Sequence, residues 1–164
     1  MLSLSLSLAG DDALDARLGA FADALGDALV AKAETLAQAL ADAVKADKLS
    51  GQVLAARSGA LRDSIEAEVA FDGDAIVATV GSVGDLKYAA IQEYGGRTAA
   101  HEILPVKGKV LAFVVGGAMR FATRVEHPGS TIPECSYLRS TLDEQSDAIV
   151  AALAATPQET WERA

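Results

Sequence analysis

The chain has 164 residues, 51% of them apolar, with 23 acidic against 14 basic side chains and a formal net charge of −9. That size and apolar content set the expectation of one globular domain spanning 1–164 and argue against disorder. The acidity opposes tight phosphate contact, which relies on Lys and Arg to displace condensed counterions. No run approaches the ~20 consecutive apolar residues of a membrane span, and the lone Cys135 leaves no disulfide partner and no thiol cluster for zinc.

Leu2, Leu4, Leu6 and Leu8 alternate with serines, a period of two that predicts a strand over 1–9 with one buried face. The leucines lack the basic region of a secretory signal, so export by that route is not expected. Gly10 breaks the pattern, and Asp11 or Asp12 is placed to cap a helix running to about 48. Its apolar stripe is Leu14, Leu18, Phe21, Leu25, Leu29, Leu36, Leu40 and Val44. At ~1.5 Å per residue such a helix reaches ~55 Å, more than a domain of this size covers alone. Gly19 and Gly26 are therefore expected to mark a kink or the close approach of a neighbouring subunit.

Ser50-Gly51 ends this helix, and Ser58 is placed to cap a short one over ALRDSI, with Leu61 and Ile65 on one side. The body, 58–155, continues with two alternating runs around Asp72-Gly73-Asp74, a hairpin signal. The helix YAAIQEYGG stops at Gly95 and Gly96, whose freedom at positive φ suits a helix end. Tyr88 and Tyr94 are too far round from each other to share a face, so one is expected in the core and the other free for contact. VLAFVV at 110–115 is apolar on both faces and predicts a covered central strand, joined through Gly116-Gly117 to a more solvated one over 118–125. A long loop is expected from His127 to Ser136, with a neighbouring subunit as its natural ligand. The last helix, about 136–155, uses Leu138, Leu142, Ile149, Val150 and Leu153, and Pro157 is expected to stop it. The remainder, 157–164, is then a short tail with Trp161 as an exposed anchor. These elements predict an α+β fold, a mainly antiparallel sheet packed against a long N-terminal helix and a C-terminal helix.

Catalytic signatures are missing from the sequence. His101 and His127 each adjoin a glutamate, but no HExxH spacing gathers them, and they read as two unrelated loop histidines. There is no Gly-x-Ser-x-Gly elbow, and GSVGD is too short for a phosphate loop, with Lys87 at the wrong spacing. No enzyme activity, cofactor or metal is expected.

Three segments in fixed order carry a further signal: SGALRDSI at 58–65, YAAIQEYGG at 88–96 and EHPGSTIPECSYLRSTL at 126–142, with KGKVLAFVV at 107–115 between the last two. Ser58, Gly59, Leu61, Arg62, Ser64 and Ile65, then Tyr88, Ala89, Glu93, Tyr94 and Gly95, follow the pattern of one family. So do Pro105, Gly108, Lys109, Leu111 and Phe113, then His127, Pro128 and Gly129, and finally Leu138, Arg139 and Leu142. In this the chain resembles the tail-completion or neck proteins that join head to tail in long-tailed bacteriophages. It departs at Ser136 and Tyr137, where the family commonly has Pro-Phe.

The resemblance implies a structural virion protein, synthesised in the host cytoplasm and sited at the neck. It implies a homo-oligomeric ring, sixfold by analogy with tail-tube rings, joining the head's portal and stopper or adaptor complex to the tail terminator and tube. DNA would pass through its channel without specific binding, along an acidic wall that repels the duplex. Candidate subunit-interface residues are Arg62, Tyr88, Glu93, Tyr94, His127, Pro128, Tyr137, Arg139 and Trp161. Two rival readings are a tail terminator or minor tail protein of similar fold, and a host-encoded regulatory or binding module.

Overall fold

The computed structural model describes residues 10–51, 58–106 and 108–163, so the strand expected over 1–9 lies outside the described residues. The fold is α+β, with a long N-terminal helix, a C-terminal helix packed on it and small antiparallel ladders. The chain divides into two compact units. The first comprises the described residues up to Leu86 and from Tyr137 onward, and the second is Lys87–Ser136.

In the first unit, helix α1 (Asp11–Ala43) runs unbroken. Gly10, in the left-handed region at φ 100°, takes the cap position expected of an aspartate, and Asp11 and Asp12 sit instead in the first turn, at the positive end of the helix. Gly19 and Gly26 interrupt nothing, and no atom lies within 4 Å of a Cβ built at either, so within the chain they mark neither a break nor a close approach. The helix closes in a π turn, Val44–Lys48, in which the Leu49 N–H bonds to the Val44 carbonyl at 3.1 Å. That wider turn brings residues five apart onto one side, and both Val44 and Leu49 enter the core.

The core is small: Ala41, Val44, Leu49, Ile65 and Tyr137, surrounded by Leu61, Ala67, Val80 and Leu138. Short helix α2 (Ala60–Asp63) is capped by Gly59 at φ 75°, while Ser58 Oγ, one residue further out than expected, accepts the Ala60 N–H at 3.4 Å. Strands β1 (Ile65–Asp72) and β2 (Ala75–Ser82) form the expected hairpin, with Gly73 at φ 60° in the turn. Ser64 clamps its base, its hydroxyl 2.8 Å from Ser82 Oγ and its carbonyl accepting the Val83 N–H at 2.8 Å. The hairpin packs on α1 at this end and becomes exposed toward the turn, where Phe71 stands in solvent.

Helix α4 (Arg139–Arg163) packs along α1 and differs from expectation in two ways. It continues through Pro157, and the residues it buries are Thr141, Thr156 and Thr160, whereas Leu142 and Val150 are exposed. Each threonine hydroxyl donates to the carbonyl four residues back, Tyr137, Ala152 and Thr156 respectively, at 2.8–3.0 Å. With the hydroxyl satisfied on its own helix, what remains to bury is a methyl group. Contacts with α1 hold the helix beyond the proline: Trp161 meets the Phe21 ring edge-on at 5.2 Å, the Arg17 guanidinium lies 4.4 Å over the Trp161 ring, and Lys32 is 3.6 Å from Glu159. Tertiary packing here offsets the ~3 kcal/mol that proline costs inside a helix.

The second unit holds a short helix α3 (Ala89–Tyr94) and three two-stranded antiparallel ladders. These pair β3 (Gly96–Arg97) with β8 (Thr131–Ile132), β4 (His101–Ile103) with β7 (Val125–His127), and β5 (Leu111–Val115) with β6 (Ala118–Ala122). Gly116 and Gly117, both at positive φ, make the tight turn between β5 and β6. The strand expected to be central and covered is one arm of a two-stranded ribbon: Leu111 and Phe113 are half-buried, and Val114 and Val115 are exposed. An apolar run signals burial only where another layer exists to cover it.

Candidate functional site

The segments that carry the family pattern in the second unit meet in one place. At the end of α3 the Gln92 and Glu93 carbonyls, lacking partners within their own helix, accept the N–H groups of Cys135 and Ser136 at 2.9 and 3.1 Å. The returning chain passes so close that a Cβ on Gly95, at φ 68°, would lie 2.7 Å from the Glu134 nitrogen and 3.1 Å from the Ile132 carbonyl oxygen. Only glycine fits both the backbone angle and the gap.

Further along, the Thr98 N–H donates to the Ser130 carbonyl at 2.9 Å and the Ser130 N–H to Thr98 Oγ1 at 2.7 Å. Gly129, at φ 85°, presses against Thr98, and a Cβ there would run into the Thr98 carbonyl oxygen. His127 Nδ1 accepts the Gly129 N–H at 3.1 Å, which puts the proton of its neutral ring on Nε2. The segment from His127 to Ser136 is therefore not the open loop expected. Its middle is a strand, and its end is latched to α3.

His101 and His127, expected to be unrelated, face each other across the β4–β7 ladder with ring centroids 5.0 Å apart and planes 28° from parallel. His101 Nδ1 lies 3.1 Å from the Ala99 carbonyl and donates to it, since a carbonyl can only accept. Their neighbours Glu102 and Glu126 are also directly opposed, a like-charge pair that Arg124 offsets at 3.4 and 3.8 Å. A signal for this was present in the sequence: His-Glu at 101–102 and Glu-His at 126–127 are mirror images, the order antiparallel pairing requires.

Of the nine expected contact residues, Arg62, Tyr137, Arg139 and Trp161 belong to the first unit and Tyr88, Glu93, Tyr94, His127 and Pro128 to the second. Glu93 is 3% and Tyr137 1% exposed, so both are internal and neither is available to a neighbouring subunit. Tyr88 and Tyr94 are both exposed, in place of one buried and one free. Arg62 is exposed and pairs with the adjacent Asp63 at 3.2 Å. His127 is half-buried in its ladder, with Pro128 exposed beside it, and Arg139 is exposed at the first turn of α4. Trp161 is 37% exposed, with its ring also engaged by Phe21 and Arg17 of α1. Sequence reasoning missed the exposed side of the β5–β6 ribbon, where the cross-strand pairs Ala112/Phe121 and Val114/Met119 form a wholly apolar face. Val114, Met119 and Phe121 on it are 66%, 64% and 65% exposed.

Among the described residues no group of three or more His, Cys, Asp and Glu side chains is gathered as a metal site would require. The stacked pair supplies two imidazoles, one with Nδ1 committed to Gly129 and the other to Ala99. What the arrangement does is hold backbone segments together, and no buried side-chain nitrogen or oxygen among the described residues lacks a partner. No described helix is long and apolar enough to cross a membrane. Comparison with protein-family models, with curated proteins and with solved structures finds no match to this chain.

Proposed function

We propose that the chain is a structural subunit of the neck of a long-tailed phage particle, one copy in a ring that joins the head's stopper complex to the tail and leaves a channel for DNA. One observation carries the reading. The residues by which the chain resembles that family, in YAAIQEYGG and HPGSTIPECSY, are accounted for by backbone packing: Gly95 and Gly129 by close approach, and the end of α3 by the Cys135 and Ser136 latch. A pattern explained by shape suits a protein whose work is assembly. The acidic balance supports the same reading, since a negative wall does not hold a passing duplex.

Purified particles test it by quantitative mass spectrometry. The chain should be present at a stoichiometry near that of a ring, about six copies for the cyclic assembly favoured here. Absence from particles, or a single copy, would overturn the proposal.

A further inference from the structure

Charge is divided unevenly along this acidic chain. Residues 11–27, the first half of α1, contain five aspartates and a single arginine, and they expose Leu14 and Leu18 one turn apart. The sequence from 103 to 122, which ends in the β5–β6 ribbon, contains Lys107, Lys109 and Arg120 and no acidic residue, while Arg124 beyond it is paired with Glu102 and Glu126. Ribbon and helix are thus opposite in charge, and each carries an apolar strip open to solvent. A two-stranded ribbon is marginal in water by itself, and an apolar face on it is the kind of patch that marks an interaction surface.

We infer that the apolar face of the β5–β6 ribbon, Ala112, Val114, Met119 and Phe121, seats on the Leu14/Leu18 strip of α1 in a second copy of this chain. The contact joins two different patches, so it is heterologous and propagates from copy to copy until a ring closes. It deepens the ring reading above and rests on it. Arg120, paired with Phe113, lies on the reverse side of the ribbon from the apolar face, and Lys109 precedes β5 in the chain. They act through the field of the ribbon within a Debye length of ~10 Å at 0.1 M salt, raising the rate of encounter more than the strength of the final contact. The exposed leucines at the start of α1 thereby acquire a cover that the subunit does not give them.

Cysteine cross-linking tests the pairing in the full chain with Cys135→Ser. Copies carrying Val114→Cys and copies carrying Leu18→Cys are purified separately, mixed at high concentration and oxidised mildly. Both positions are exposed, and circular dichroism checks that the fold is kept. The expected result is disulfide-linked dimers in the mixture and none in either protein alone. Lys109→Glu with Arg120→Glu should slow cross-linking, and added salt should shrink that difference. Dimers of Val114→Cys alone would mean that ribbons meet each other about a twofold axis, and would overturn the inference. So would linkage of Val114→Cys to a cysteine at Leu6 and not at Leu18, or no linkage in the mixture. If the chain nevertheless forms a ring in particles, only the surfaces assigned here are wrong. If cross-links form but particles lack the chain, the contact stands and the neck reading falls.

Discussion

Gly129 and Gly116 share a left-handed backbone but differ in their surroundings. Alanine at Gly116, with nothing within 4 Å of the added carbon, meets only the unfavourable φ and should cost about 1–2 kcal/mol. Alanine at Gly129 meets the same penalty and also collides with the Thr98 carbonyl, adding about 1–3 kcal/mol as overpacking. Urea unfolding of the two variants checks this, and equal costs would contradict the close approach of the segment around Gly129 to Thr98. His127 belongs to the same contact. Replacing it with Ala removes the acceptor of the Gly129 N–H, a loss of about 1 kcal/mol that should appear as faster amide exchange at Gly129. His101→Ala, which loses a bond to Ala99, should leave exchange at Gly129 much slower than His127→Ala does. Neither histidine motif revealed this role, because hydrogen bonds between a ring and its own loop depend on a turn whose shape is set by Gly129 and not by the histidine.

At the level of elements, the sequence was most legible where turn chemistry is local. Gly73 and Gly116-Gly117 sit where positive φ is required, and both hairpins turn where expected, although the strand expected over 118–125 stops at Ala122 and Val125–His127 pairs with β4 instead. It is least legible in α4, where Leu138, Ile149 and Leu153 of the apolar pattern are half-buried, Leu142 and Val150 are exposed, and the fully buried residues are three threonines with their hydroxyls turned back on the helix. Thr156→Val keeps the methyl and should stay within about 1 kcal/mol of the parent, whereas Thr156→Ser loses a buried methyl and should cost about 1 kcal/mol or more. A Val variant less stable than the Ser variant would show that the hydroxyl bond, and not the methyl, holds the interface. Pro157 was taken as a stop because its ring opposes helix continuation, but Thr160 and Trp161 beyond it pack on α1 and override that preference. Pro157→Ala should therefore raise the unfolding free energy by up to the ~3 kcal/mol difference in helix propensity, seen as a higher melting temperature. Loss of stability in this variant would mean that the bend at the proline is needed for the fit to α1. The covered strand at 110–115 failed for a reason of scale, since apolarity on both faces does not distinguish a strand buried in its own subunit from one reserved for another. Phe113→Ala in a half-buried ribbon should consequently cost less than Ile65→Ala in the core, where about 2–5 kcal/mol is expected.

For the whole molecule, the small core explains how much apolar surface remains outside. The buried cluster is five residues, Ala41, Val44, Leu49, Ile65 and Tyr137, while Leu14, Leu18, Val114, Met119 and Phe121 stand in solvent. Such a distribution is uneconomical for a chain that works alone and natural for one that completes its contacts on assembly. The order of motifs is what suggests an assembly role, whereas no motif points to the surfaces proposed here to perform it. The proposed surfaces, in the ribbon and the first half of α1, include none of the nine residues first expected. The account is tested most directly by an electron cryo-microscopy map of the head–tail junction in purified particles. It predicts this chain as a closed ring around the DNA channel, with the β5–β6 ribbon of each copy on the first half of α1 of the next. A junction without this chain, or with one asymmetric copy, would contradict it.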